Sequence, residues 1–167
     1  MRGFSGIVQT RKLELLLVED NPADVRLFRE ACGDNGSSLY NLHVVNDGVL
    51  ALRFLHRASD YSLAPRPDLI LLDLNLPRLN GHEFLEIVKA DPFFRSIPVI
   101  ILSTSRSEED VRKSYELQAA CYIRKPESFV EFQRICSNIQ KFWMRRASLP
   151  GPMDSEVWAN NNLDLLQ

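Results

Sequence analysis

Short apolar runs alternate with amphipathic stretches along almost the whole chain. "KLELLLVED" (12–20) is a strand-sized apolar run that ends in two acids. "NPADVRLFREACGDNG" (21–36) follows with helix punctuation at both ends: Asn21 suits an N-cap, Pro22 the first helical position, and Gly33 or Gly36 the close. Val25, Phe28 and Cys32, flanked by Leu27 and Ala31, give that helix one apolar face. The rhythm then repeats. "NLHVVND" (41–47), "DLILLDLN" (68–75), "IPVIILST" (97–104) and "ACYIRKP" (120–126) predict strands. "DGVLALRFLHRAS" (47–59), "NGHEFLEIVKAD" (80–91), "SEEDVRKSYELQ" (107–118) and "ESFVEFQRICSNIQKFWMRR" (127–146) predict helices, with "DYSLAPRP" (60–67) as a loop.

Five strand–helix pairs in series, with strands apolar on both faces, imply a parallel sheet covered by helices on both sides. Right-handed crossovers favour the doubly wound open α/β arrangement. The pattern places an N-terminal extension at 1–11, one domain at 12–146 and a tail at 147–167. About twenty residues after the last helix are too few for an output module. Trp158 and Leu163–Leu166 are the apolar residues of that tail.

Composition narrows the function classes. An apolar share of 45% and a charged share of 25% over 167 residues suit one globular domain. A formal charge of −2 and no basic groove-reading helix argue against nucleic acid and anionic membrane as partners. No run has the length of a membrane span or the character of a signal peptide, so the expected location is the cytoplasm. Cys32, Cys121 and Cys136 lack metal-ligand spacing and fit core thiols.

In a doubly wound sheet, ligands gather at the carboxyl ends of the strands. The first strand delivers Glu19 and Asp20 there, the third Asp73, the fourth Ser103 and Thr104, and the fifth Lys125 before Pro126. Each alone suits ordinary duty: a capping turn, a cap hydroxyl, a surface lysine. Asp73 inside "LILLDLNL" is the hardest to explain so, because burying an unpaired charge costs several kcal/mol, on the order of 2 to 7 for a polar group. Three carboxylates raise one another's pKa, and one lysine offsets one charge. A divalent cation supplies the remainder, and all-oxygen ligands favour Mg2+, with Mn2+ as a substitute. Magnesium shares its shell readily with phosphate oxygens, which points to phosphoryl chemistry.

These residues resemble the receiver domains of two-component response regulators, over roughly residues 12–146, and the resemblance implies the flavodoxin-like strand order 2-1-3-4-5. The match rests on Glu19–Asp20, on Asp73 in "LLDLNLPRLNG", on Ser103, and on Lys125–Pro126. The resemblance implies that Asp73 is the phosphoacceptor. It implies that Asp20 and Asp73 ligate magnesium, that Asn75 adds its backbone carbonyl, and that Glu19 helps directly or through water. Lys125 and Ser103 would contact phosphoryl oxygens, and Lys125–Pro126 would be joined by a cis bond. Ser103 and Tyr122 would form a two-state switch, the aromatic ring following the hydroxyl toward the phosphoryl group. Asn75 and Ser105 occupy the positions that tune phosphate lifetime. Such a protein is a phosphoacceptor with slow self-dephosphorylation, not a turnover enzyme.

Two competing readings separate on single residues. A dehalogenase-type phosphatase needs an acid two residues after its nucleophile, where this chain has Asn75. A pseudo-receiver, an interaction module without phosphorylation, should lack an acidic, hydroxyl or lysine member, and all are present. Within stand-alone receivers, "LSTSRSEEDVRKSYELQAACYIRKP" and "SDYSLAPRPDLILLDLNLPRLNGHEFLEIVKAD" resemble the subfamily that serves cyanobacterial and bacterial phytochrome histidine kinases. In the last helix Phe129, Phe132, Cys136, Ile139 and Trp143 form the expected core stripe. Ile135 and Phe142 widen it into a candidate homodimer surface on the side of the fourth helix, fifth strand and fifth helix, as the resemblance implies.

Overall fold

The computed structural model describes residues 11–33 and 39–150. Five strands, β1 (Leu13–Val18), β2 (Tyr40–Val45), β3 (Leu69–Leu72), β4 (Val99–Ser103) and β5 (Cys121–Arg124), alternate with five helices. These are α1 (Pro22–Cys32), α2 (Gly48–Leu55), α3 (Gly81–Ala90), α4 (Glu108–Glu116) and α5 (Phe129–Trp143). All pairings are parallel, in the expected order β2-β1-β3-β4-β5.

The alternation of side chains along each strand divides the core between two layers. Leu16, Val18, Ile70, Leu72, Val99 and Ile101 face α2 and α3, where Phe54, Phe84, Leu85 and Val88 are buried against them. Leu15, Leu17, Leu69, Leu71, Ile100 and Leu102 face α1 and α5, meeting Phe28, Cys32, Phe132, Cys136 and Ile139. β3 and β4 are buried at every position, as strands covered on both faces must be.

Helix ends follow the chemistry of their caps. Asn21 Oδ1 accepts from the Ala23 amide, Pro22 opens α1, and Gly33 closes it at φ 67°. Asn80 and Glu83 form a reciprocal capping box on α3. The elements are shorter than the periodicity suggests, and a 3-10 turn at Ser59–Tyr61 occupies the start of the anticipated loop.

Two expectations for this half of the molecule are corrected. The Lys125–Pro126 bond is trans, since no cis peptide occurs among the described residues. Trans is the lower-energy form of an X–Pro bond, and the Lys125 side chain is held by two carboxylates without a cis turn. Phe129 is 38% exposed rather than part of the core stripe, because it lies in the first turn of α5, ahead of the buried residues Phe132, Cys136 and Ile139. Gly36 and the tail residues Trp158 and Leu163–Leu166 lie outside the described residues. None of Cys32, Cys121 and Cys136 is in a disulfide, and the first and last of them are buried.

Candidate functional site at the carboxyl edge of the sheet

Strand register assembles the site. Val18 pairs with Leu72, so the next residues on each strand, Glu19 and Asp73, emerge side by side. The ladder continues one step beyond the strands: the Asp73 amide donates to the Val18 carbonyl at 3.0 Å, and the Glu19 amide to Val45 at 3.0 Å. On the other side Ser103 pairs with Arg124, and the Lys125 amide donates to the Ser103 carbonyl at 2.8 Å. Backbone hydrogen bonds thus fix Glu19, Asp73, Ser103 and Lys125 in one plane before any side-chain contact forms. Gly81 lets the loop after Asp73 fold tightly, because a Cβ there would sit 2.5 Å from the Asp73 carbonyl oxygen.

The side chains make a charged knot at the edge of a dry core. Glu19, Asp73 and Ser103 are buried, while Asp20 and Asn75 are exposed. One carboxylate oxygen from each of Glu19, Asp20 and Asp73 lies within 4.8 Å of the others. Lys125 Nζ donates to Glu19 Oε2 at 2.5 Å and to Asp24 Oδ2 at 2.8 Å, and stands 3.9 Å from Asp73 Oδ1. That last distance is too long for a hydrogen bond, and Asp73 Oδ1 is a buried acceptor with no partner. Glu19 Oε1 also accepts from the Asn21 amide at 3.0 Å.

Electrostatics follows burial. Desolvation pushes the Asp73 carboxyl above its ordinary range, although Lys125, the amides of Leu74 and Asn75, and the Ser103 hydroxyl all favour the charged form. Desolvation raises Glu19 as well, against the pull of Lys125. For Lys125, burial alone would lower the ammonium, but hydrogen bonds to Asp24 and Glu19, with the charge of Asp73, hold it above its ordinary value. One ammonium therefore leaves the carboxylates short of positive charge. The orphaned Asp73 oxygen, two further carboxylates within ligand reach and an all-oxygen donor set fit a divalent cation such as Mg2+ or Mn2+.

The remaining predicted residues cluster around α4. Ser105 lies close to Ser103, its amide donating to Ser103 Oγ at 3.2 Å. Its own hydroxyl is turned away, donating to Asp110 Oδ2 at 2.5 Å. Tyr122 packs against the α2–α3 side of the core, and its hydroxyl donates to the Ser105 carbonyl at 3.1 Å. Ile135 is partly buried in the α1–α5 layer, whereas Phe142 is 57% exposed beside Trp143. Sequence reasoning missed Asp24. Its only signal was an acid in the first turn of a helix, which ordinarily serves the helix dipole. It also missed His82, buried on α3, whose Nε2 lies 3.0 Å from Ser114 Oγ, joining α3 to α4.

The chain is similar to known proteins over most of its length. Residues 15–137 match the response regulator receiver domain family. The chain is 40% identical over 136 residues to response regulator Rcp1 of Synechocystis sp., covering 81% of this chain and 92% of that protein. It superposes with a TM-score of 0.80 on the phosphorylated cyanobacterial phytochrome response regulator RcpA, at 42% identity, over 84% of this chain and all of that one. The Mn2+-bound form of Rcp1 superposes with a TM-score of 0.78 at 40% identity, over 83% and 99% of the two chains. Among the described residues no helix is long and apolar enough to cross a membrane.

Proposed function

The chain belongs to the response regulator receiver domain family, and from that premise we propose that it accepts a phosphoryl group on Asp73 and signals through a binding surface. The observation that carries this reading is the unpartnered, buried Asp73 Oδ1 facing Lys125 and the Glu19–Asp20 pair. An Asp73 carboxylate oxygen attacks phosphorus, and the bond from phosphorus to the donor histidine nitrogen breaks. The electron pair stays on the imidazole, which takes up a proton. Glu19, Asp20, Asp73 and the Asn75 carbonyl would hold Mg2+, which would supply charge neutralisation to the transferred group. Lys125 moves its ammonium to one phosphoryl oxygen, and Ser103 donates its hydroxyl to another. Because little proton transfer is needed, the residues act by position and charge, and the protein is a phosphoacceptor rather than a turnover enzyme.

The partner we propose is a phytochrome-type sensor histidine kinase, on the strength of the likeness to Rcp1 and RcpA. The domain spans 12–146, with 1–11 as an extension and 147–167 as a tail. Ser103 and Tyr122 form the switch, since Tyr122 already reaches the loop that Ser103 begins. Asn75, exposed at the site mouth, and Ser105 influence phosphate lifetime. The α4–β5–α5 side, with Ile135 and the exposed Phe142 in its surface, joins two copies of the chain. The expected location is the cytoplasm, away from membrane and nucleic acid.

Incubation with acetyl phosphate and Mg2+, followed by intact mass measurement, tests the central assignment. Wild type should gain one phosphoryl group and Asp73→Asn none. An adduct persisting in the variant would place the phosphoacceptor elsewhere. No adduct on wild type from acetyl phosphate or a phosphohistidine donor would favour the pseudo-receiver.

A further inference from the structure

Lys125 has three N–H donors, and two of them are committed away from the phosphoacceptor. Glu19 takes one, and Asp24, on the first turn of α1, takes another at 2.8 Å. Asp73 Oδ1, which the ammonium could satisfy, is left 3.9 Å away with no partner of its own. Asp24 is placed for this contact by the start of its helix. An acid at the third helical position commonly folds back to the N-cap amide. Here the Asn21 amide is already bound to Glu19 Oε1, so Asp24 is free to reach outward to Lys125. The local sequence "EDNPAD" thus presents two anchors for one ammonium.

We propose that Asp24 is a positioning residue that holds Lys125 off Asp73 in the unphosphorylated protein and competes with the phosphoryl group for the ammonium. The inference rests on the phosphoacceptor reading of Asp73. When a cation engages Glu19, that anchor weakens, because the same carboxylate cannot serve both charges fully. Asp24 remains as the second anchor and must yield before Lys125 can reach a phosphoryl oxygen. The ion pair is partly open, with the Asp24 side chain 30% exposed against 8% for Lys125, so the hold is moderate and reversible. A purely structural Asp24, serving the α1 dipole, would change stability on removal but not the affinity for a phosphoryl group.

Beryllofluoride in the presence of Mg2+ mimics the phosphoryl group without transfer, and its binding can be followed by fluorine NMR. Asp24→Asn should bind it about threefold more tightly than wild type, the scale of one partly exposed ion pair. Asp24→Glu, which keeps the charge, should return toward wild-type affinity. In a Lys125→Gln background, Asp24→Asn should make no difference, because the competing ammonium is gone. Unchanged or weaker binding by Asp24→Asn would overturn the proposal. So would equal tightening in the Lys125→Gln background, which would reveal a general charge effect. Wild type that fails to bind beryllofluoride with Mg2+ would overturn the phosphoacceptor reading and Asp24's role with it.

Discussion

At the scale of single residues, the site depends on a close backbone approach as much as on its charges. Gly81 opens α3 so close to the carbonyl of Asp73 and the Cα of Leu74 that no Cβ fits there. A methyl at Gly81 would meet backbone at 2.5 and 2.6 Å, and backbone cannot rotate away as a side-chain tip can. Gly81→Ala should therefore destabilise the fold by about 1–3 kcal/mol, the usual cost of overpacking, measured as a lower urea midpoint. It should also weaken Mg2+ binding, since the displaced segment carries Asp73 and the Asn75 carbonyl. A variant with wild-type midpoint would show that the loop yields without strain. The motif "LPRLNG" marked a turn in the sequence, but not which atoms its glycine spares. Asp24 was similarly illegible. Its chemistry depends on Lys125, 101 residues away in sequence, and on an Asn21 amide already occupied by Glu19. By contrast, Asp73 was legible from its neighbours alone, because an acid within an apolar run has few inexpensive explanations.

At the scale of elements, apolar runs and periodicity located the strands and most helices, because each has to bury one face or both, whereas α4, with only Ser114 buried, is marked by the serine and acids at its start. Periodicity was less informative about where a helix covers the sheet. The stripe from Phe129 to Trp143 has uniform spacing, yet only Phe132, Cys136 and Ile139 are buried. Spacing carries no record of which turns of the helix are covered. The same helix exposes Phe142, whose ring meets Trp143 edge-on at 5.3 Å, beside a groove lined by Ile123, Ile135 and Ile139. An exposed aromatic next to the partly buried Ile123 and Ile135 is suited to cover by a second α5. Phe142→Glu would bring a charge into that contact, which costs far more than the lost apolar area. In sedimentation velocity, wild type should contain a dimer that the variant loses, with its circular dichroism unchanged. A variant as dimeric as wild type would move the contact to another face.

At the scale of the whole molecule, the carboxyl edge of the sheet stores instability that a cation relieves. Burial raises the carboxyls of Asp73 and Glu19, so the folded protein binds more protons than the unfolded chain above the ordinary carboxylate range. The sign follows from that difference. Without metal, the contribution of these two carboxyls is most favourable below the ordinary carboxylate range and falls as pH rises toward their raised values in the fold. Lys125 does not compensate in this window. Its contribution is complete below the ordinary lysine value and is lost only as alkaline pH passes its raised one. A cation that binds only the folded, ionised site reverses the trend, adding about 2.7 kcal/mol at a hundredfold excess over its dissociation constant. Urea unfolding near neutral pH should therefore show a midpoint that climbs with Mg2+ concentration, and the gain should vanish as acid protonates the site. Asp73→Asn should be the more stable protein without metal, because its buried group carries no charge, and should gain less from Mg2+. Equal Mg2+ gains in wild type and variant would place the cation away from Asp73. The same imbalance of charge keeps the carboxylates ready for a cation, and with it for a phosphoryl group.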